Sequence, residues 1–277
     1  MDELQQKINQ SVALLRRGER LALELNPTDG YFVAFSGGKD SQVLLDLCKK
    51  AGVRFRAWYS VTTNDPPENV YFIRNHYPEV GFLHPKKNFF ELVAEKGLPT
   101  IRMRYCCAIL KENAGKGSLV LTGVRREESC KRAAYHTIGV MSRRKLYAGE
   151  PKNYSFEDFE GQTRTLLTAN DKIMVHPILE WTEADVWEYI DREGIPENPC
   201  YEKNSRVGCM FCPFTNRKQK EWYEQCYPKY RALLIRSLDR FLQNPRSAQL
   251  LFHSAEDQLN YLATSPVAFD MWKDLEA

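Results

Sequence analysis

The chain lacks any apolar run approaching the ~20 residues that a membrane-crossing helix requires. Its first residues, Met1-Asp2-Glu3-Leu4-Gln5-Gln6-Lys7, lack the apolar core of a secretory signal. Charge of one sign is also lacking: 39 Lys and Arg oppose 36 Asp and Glu, for a formal net charge of +3. That is too little to mark a nucleic-acid binder by composition, so any such surface must be local. Internal repeats and low-complexity tracts are missing, which excludes solenoids and long disorder. The expectation from these absences is a cytoplasmic protein with no membrane partner. What is present is ordinary: 277 residues, 43% hydrophobic and 27% charged, enough for one large domain or two small ones. Eight cysteines stand out, because disulfides are rare in the cytosol. A buried thiol explains any single cysteine; only spacing argues for more.

Apolar periodicity predicts an amphipathic helix from Leu4 to Leu25, ended by the turn residues Asn26-Pro27-Thr28-Asp29-Gly30. Short apolar runs at Tyr31–Phe35, Phe55–Val61, Gly81–His84, Leu119–Gly123 and Ile173–Val175 read as buried strands. Helical stretches fall at 41–50, 67–76, 89–96 and 182–193. The alternation predicts an α/β fold, a parallel sheet flanked by helices, with ligands at the carboxyl ends of the strands. The pattern lapses between Arg125 and Asn170, read as a long loop or short hairpins. From Gln219 onward the chain reads as a helical, aromatic-rich extension. The expected division is an N-terminal helix (1–30), a nucleotide-binding and metal domain (31–214) and a C-terminal helical extension (215–277).

Ser36-Gly37-Gly38-Lys39-Asp40-Ser41 follows the first strand and opens a helix. Paired glycines let backbone N–H groups approach one anion, and the helix N-terminus and Lys39 add positive charge. Ser36 and Ser41 are hydroxyl donors to phosphate, and Asp40 is the candidate to hold Mg²⁺ against phosphate oxygens. The Walker A spacing is absent. The string resembles the PP-loop of the ATP pyrophosphatase superfamily, which has the adenine nucleotide α-hydrolase-like, Rossmann-like fold. The resemblance implies that ATP is gripped by its pyrophosphate while an acceptor oxygen attacks the α-phosphorus. Pyrophosphate leaves, and a nitrogen or sulfur nucleophile then displaces AMP. Lys39 and Asp40 become the catalytic candidates.

Cys106-Cys107 are adjacent, and Cys209 and Cys212 form a Cys-x-x-Cys followed by Pro213. Two such pairs can supply the four ligands of zinc or of an iron–sulfur cluster. Adjacent cysteines suit a tetrahedral zinc poorly, because neighbouring side chains diverge. A redox Cys-x-x-Cys has no thioredoxin-like pattern around it. Cys48 and Cys226 read as buried thiols, Cys130 is unassigned, and Cys200 ranks behind the two pairs as a substitute ligand or reactive thiol.

From Tyr31 to Phe214 the chain resembles the phosphoadenosine phosphosulfate reductase family. The matching pieces are the PP-loop, the tandem cysteines, Thr122-Gly123-Val124-Arg125-Arg126-Glu127-Glu128-Ser129, Pro177–Trp187, and Ile195-Pro196-Glu197-Asn198-Pro199 through Cys209. In the adenylyl-sulfate reductase branch, tandem cysteines and a Cys-x-x-Cys hold a [4Fe-4S] cluster. That implies Cys106, Cys107, Cys209 and Cys212 as ligands. The reductases' C-terminal Glu-Cys-Gly-type nucleophile is missing, since Cys226 is the last cysteine. The PP-loop is also intact where reductases carry a degraded one. Both departures resemble the DNA phosphorothioation ATP pyrophosphatases and cluster-dependent tRNA thiolases, which couple ATP activation to sulfur insertion.

On that resemblance Thr62 and Thr63 would line the adenosine side, and Gly123, Arg125 and Arg126 would approach the nucleotide or an acceptor phosphate. A sulfur donor such as a cysteine desulfurase is implied. The basic stretch Arg125, Arg126, Lys131, Arg132, Arg143, Arg144 and Lys145, interleaved with Tyr135 and Tyr147, is a candidate nucleic-acid surface. A solvated loop weighs equally. Trp222, Tyr223, Tyr227 and Tyr230 read as helix packing. The alternatives are a sulfonucleotide reductase using Cys200 or Cys226, and a non-catalytic nucleotide-binding subunit of a modification or defence complex.

Overall fold

The computed structural model describes residues 2–101, 103–141, 154–161, 171–204, 206–243, 254–257 and 259. The chain forms two compact units. The first comprises Met1–Ser60, Glu68–Leu83 and Ala114–Val207, and the second Val61–Pro67, His84–Asn113 and Gly208–Ala277. These units cut the chain differently from the linear division at residues 30 and 214.

The first unit holds a six-stranded sheet, whose strands are β1 (Tyr31–Phe35), β2 (Phe55–Ser60), β3 (Gly81–Leu83), β4 (Leu119–Leu121), β5 (Ile138–Met141) and β6 (Lys172–Val175). Their order is β3-β2-β1-β4-β6-β5. All pairings are parallel except β5 with β6, which is antiparallel and registers Ile138 on Val175. The α/β expectation holds, with this one edge strand as its correction. β5 lies inside the polar stretch read as loop. Its four residues, Ile138-Gly139-Val140-Met141, are apolar, but the run is short and only Ile138 is buried, so it stands out little from the polar stretch around it. Nearby, Arg126–Glu128 forms a 3₁₀ turn and Cys130–Ala133 a short helix.

Chain order explains where ligands belong. The strands run outward from β1 through β2 to β3, then return to pair β4 on the other side of β1. The carboxyl ends of β1 and β4 are therefore the topological switch point, where crossovers diverge and leave a crevice.

Helix α1 (Glu3–Leu25) buries Leu4, Ile8, Ser11, Leu15, Gly18 and Ala22, a three-and-four spacing that keeps one face inward. Asp2 caps it by accepting from the Gln5 N–H. Buried Tyr31 of β1 donates its hydroxyl hydrogen to the Leu15 carbonyl at 2.6 Å, joining helix to sheet. Helix α2 (Lys39–Ala51) buries Val43, Leu44, Leu45, Leu47 and Cys48 and ends on left-handed Gly52. α3 (Pro67–His76) follows β2. The helix Glu183–Glu193 starts with a Thr182–Asp185 capping box and stops at left-handed Gly194.

The described elements of the second unit are helices: α4 (Phe89–Lys96), α5 (Tyr105–Leu110), and the helices Arg217–Cys226 and Pro228–Leu242. Their core includes Phe89, Leu92, Leu110, Met210, Tyr223, Leu234 and Leu238. Tyr223 is buried, and Trp222, Tyr227 and Tyr230 pack against this core, as expected of packing aromatics. A side chain at Gly97 would meet the Phe241 ring at 2.8 Å, so glycine lets the helix Pro228–Leu242 come close.

Candidate functional site

The loop Ser36–Ser41 lies at the switch point, between the end of β1 and the start of α2. Gly37 has φ +78°, a conformation that glycine adopts without steric cost. Gly38 caps α2 with no side-chain bond of its own. Ser41 braces the loop: its hydroxyl donates to the Gly38 carbonyl at 2.8 Å and accepts from the Ser36 N–H at 3.2 Å. Gly123 stands beside it just after β4, and a Cβ there would lie 2.7 Å from the Asp40 carbonyl oxygen. Glycine at 123 is thus what lets the chain after β4 approach the first turn of α2.

Lys39 is buried, with Nζ 3.5 Å from both Asp40 Oδ2 and Glu183 Oε1. The same ammonium lies 5.9 Å from the Trp187 ring centre and 5.6 Å from that of Tyr201, a cation–π setting. Its backbone N–H donates to the Tyr201 hydroxyl at 2.9 Å. Asp40 is engaged as well, since Oδ1 accepts from Arg125 Nε at 2.6 Å. Arg125, only 3% exposed, also donates to Glu127 at 2.8 Å. Arg125, expected to approach the nucleotide or an acceptor phosphate, holds Asp40 and Glu127 through its guanidinium.

Asn69, Glu183, Trp187, Asn198 and Tyr201 also belong to this site, and nothing in the sequence alone assigned them a chemical role. Four of them, Glu183, Trp187, Asn198 and Tyr201, sit in the quoted motifs 177–187 and 195–199 or just beyond, so motif membership was the available signal.

The second unit carries both cysteine pairs. Cys106 and Cys107 open α5, and Cys209 and Cys212 lie on the turn before the helix Arg217–Cys226. Asn64 anchors that turn: its carbonyl accepts from the Met210 N–H at 2.8 Å and its Oδ1 from the Phe211 N–H at 3.2 Å. The hydrogen bond from Cys106 draws the Cys107 thiol down to about 6, helped by Lys111 and Arg104, while Cys106 is driven up by the same pairing. The Cys107 and Cys209 thiols add to the upward push on Cys106, and the Cys212 thiol adds to that on Cys209. Burial pushes Cys209 up, with the Lys111 ammonium opposing.

This all-sulfur donor set fits a thiolate-held centre in its chemistry. Among the described residues, however, no group of three His, Cys, Asp or Glu side chains is arranged to hold a metal ion.

Thr62 and Thr63 belong to this second unit, not to the one with the phosphate loop. Thr62 Oγ1 lies 3.6 Å from Cys209 Sγ, and Cys209 Sγ lies 3.8 Å from Asp65 Oδ1. Thr63 has φ +60°, strained for a β-branched residue; it is held by accepting from the Phe89 N–H at 2.8 Å and donating to the Thr62 carbonyl at 2.6 Å.

Cys200 is in the first unit, buried, its thiol pushed up to about 12 by burial. Cys48 is buried as expected; Cys226 is exposed, correcting the expectation of a buried thiol. The basic stretch is partly neutralised, since Arg126 pairs with Glu180 at 2.6 Å and Arg132 pairs with Glu128. Arg143, Arg144, Lys145 and Tyr147 lie outside the described residues. Among the described residues no helix is long and apolar enough to cross a membrane.

The sequence pattern of the phosphoadenosine phosphosulfate reductase domain matches residues 30–215. The chain belongs to this family. An uncharacterized protein of Methanocaldococcus jannaschii is 30% identical over 211 residues, covering 71% of this chain and 39% of that protein. Sulfate adenylyltransferase subunit 2 of a Sulfurovum species is 29% identical over 218 residues, covering 74% of this chain and 69% of that protein. The chain spans 39% and 47% of the lengths of two M. jannaschii relatives. Among solved structures, the FMN adenylyltransferase of Candida glabrata, in complex with FMN and the ATP analogue AMPCPP, is similar in fold. It has a TM-score of 0.50 at 12% identity, covering 95% of this chain and 82% of that one.

Proposed function

We propose that this family member is an ATP pyrophosphatase-type enzyme that adenylates an acceptor and supports sulfur transfer to it, with nucleic acid as the acceptor. The observation that carries this reading is the intact Ser36–Ser41 loop at the switch point, with left-handed Gly37 and a buried Lys39 ammonium. Such a loop can hold the β- and γ-phosphates, which a sulfonucleotide does not have. An acceptor oxygen then attacks the α-phosphorus, the bond to the bridging oxygen breaks, and pyrophosphate leaves with that electron pair. A sulfur nucleophile next displaces AMP from the adenylated acceptor. Lys39 offsets charge on the departing pyrophosphate. Asp40, oriented by Arg125, would hold Mg²⁺. The relatives named sulfate adenylyltransferase subunit 2 support ATP as the nucleotide.

Cys106, Cys107, Cys209 and Cys212 would hold a [4Fe-4S] cluster, which when bound supplies a place to hold or pass sulfur. A cysteine desulfurase is the class of donor that would deliver it. The remaining thiols bear on the reductase alternative: Cys200 is buried and hard to ionise, whereas Cys226 is exposed.

The test is incubation with Mg·ATP, a sulfur donor and DNA or tRNA, followed by pyrophosphate measurement and by digestion to look for thiolated nucleotides. The expected result is both products, with pyrophosphate release reduced about 10- to 100-fold by Lys39→Ala, the scale of one lost charged hydrogen bond. Sulfite formation from adenylyl sulfate, with no pyrophosphate from ATP, would establish the reductase instead. ATP binding without turnover would establish the non-catalytic subunit.

A further inference from the structure

The Ile195–Pro199 motif is a family marker to which the sequence assigns no chemistry. In the structure this segment is tied to the phosphate loop at successive points. The Pro196 carbonyl accepts from Gln42 Nε2 at 2.7 Å, and the Tyr201 hydroxyl accepts from the Lys39 N–H at 2.9 Å. Between them sits Asn198, 0% exposed. Its Nδ2 donates to the Gly37 carbonyl at 2.9 Å and to Asn69 Oδ1 at 2.8 Å, and its Oδ1 accepts from the Cys200 N–H at 2.9 Å. Asn69, also buried, donates through Nδ2 to the Ser36 carbonyl at 3.1 Å. Two coupled amides therefore hold two successive loop carbonyls.

A planar trans peptide points its N–H opposite its C=O. The Ser36 carbonyl shares a plane with the Gly37 N–H, and the Gly37 carbonyl shares one with the Gly38 N–H. Holding both carbonyls on the asparagine side turns both N–H groups to the opposite side, where the Gly38 N–H lies 3.4 Å from Ser36 Oγ, a long hydrogen bond that a phosphate oxygen would displace or share. Gly37 is shaped around the same contact, because a Cβ there would lie 2.3 Å from Asn69 Oδ1.

We propose that Asn69 and Asn198 are positioning residues of the phosphate loop, holding the Ser36 and Gly37 carbonyls so that the Gly37 and Gly38 N–H groups stay presented to the phosphates of a nucleoside triphosphate. This deepens the ATP-binding reading and rests on it. Asparagine suits the role because it both donates to a carbonyl and accepts from the neighbouring donor. An aspartate has the same shape but only acceptors when ionised, so it would face the Gly37 carbonyl with repulsion.

The test uses the full chain, with Mg·ATP and inorganic pyrophosphate as probes. Asn198→Asp should raise the Kd for pyrophosphate and the KM for ATP about tenfold or more, the scale of one misdirected charged contact. Because the loop amides hold phosphate in ground and transition states alike, kcat at saturating ATP should stay within about threefold. Asn69→Ser, which keeps a small polar group but shortens the reach to Ser36, should move the same constants in the same direction. It decides the matter if Asn198→Asp does not fold. Wild-type Kd and KM in the folded variants, with only the melting temperature lowered, would overturn the positioning role and leave the ATP reading standing. A wild-type chain that binds neither ATP nor pyrophosphate would overturn both.

Discussion

At Gly37 one residue type meets two demands, a left-handed backbone and room beneath it for Asn69. Gly37→Ala should lower stability by about 1–2 kcal/mol from backbone strain. It should weaken pyrophosphate binding further, because Asn69 must shift to make room; calorimetric titration beside a urea melt separates the two effects. His176 makes a different residue-scale prediction. Burial, with the Arg132 charge adding, holds its imidazole down to about 4, and its Nδ1 lies 2.6 Å from Thr122 Oγ1. The unfolded chain takes up this proton near pH 6.5 and the folded chain only near 4, so the unfolded state binds more protons between those values. Stability should therefore fall from about pH 6.5 downward, by a ceiling on the order of 3 kcal/mol. Replacing His176 with Gln should flatten urea midpoints measured between pH 7 and 4.5; an unchanged slope would assign the acid sensitivity elsewhere.

At the scale of elements, α1 shows how much of the fold was legible. Its bounds follow from apolar spacing and the turn at Asn26–Gly30, and α3 and α4 occur at the predicted residues for the same reason. Less legible is what α1 is fastened to. Ser11 donates to the Pro177 carbonyl at 2.7 Å and accepts from Trp181 Nε1 at 3.2 Å, while Lys7 pairs with Asp185 at 2.7 Å. These partners come from the far end of the first unit's sequence, beyond the reach of periodicity. Leu15, fully buried where Tyr31 meets the helix, should cost about 2–5 kcal/mol when replaced by alanine, read as a lowered urea midpoint. β5 and α5 escaped prediction because both are short: four apolar residues inside a polar stretch establish no alternation, and a six-residue helix shows too few turns for a period to emerge.

At the scale of the whole molecule, the phosphate loop and the two cysteine pairs occupy different compact units, each assembled from separated stretches of chain. Anaerobically purified protein should contain iron and acid-labile sulfide. Cys107→Ser or Cys209→Ser should lower both, whereas Cys226→Ser should leave them unchanged. Zinc without labile sulfide would refute the cluster.

The sequence by itself determined the strand–helix alternation, the Ser36–Ser41 loop and the two cysteine pairs. Each is local, written in spacings a few residues long. Tertiary structure alone decided that Asp40 is held by Arg125 and that Asn69 and Asn198 grip the loop. It also decided that Thr62 and Thr63 side with the thiols rather than with the phosphate loop. Those outcomes depend on which buried polar groups find partners 33 to 161 residues away along the chain, and spacing along the sequence does not encode that choice.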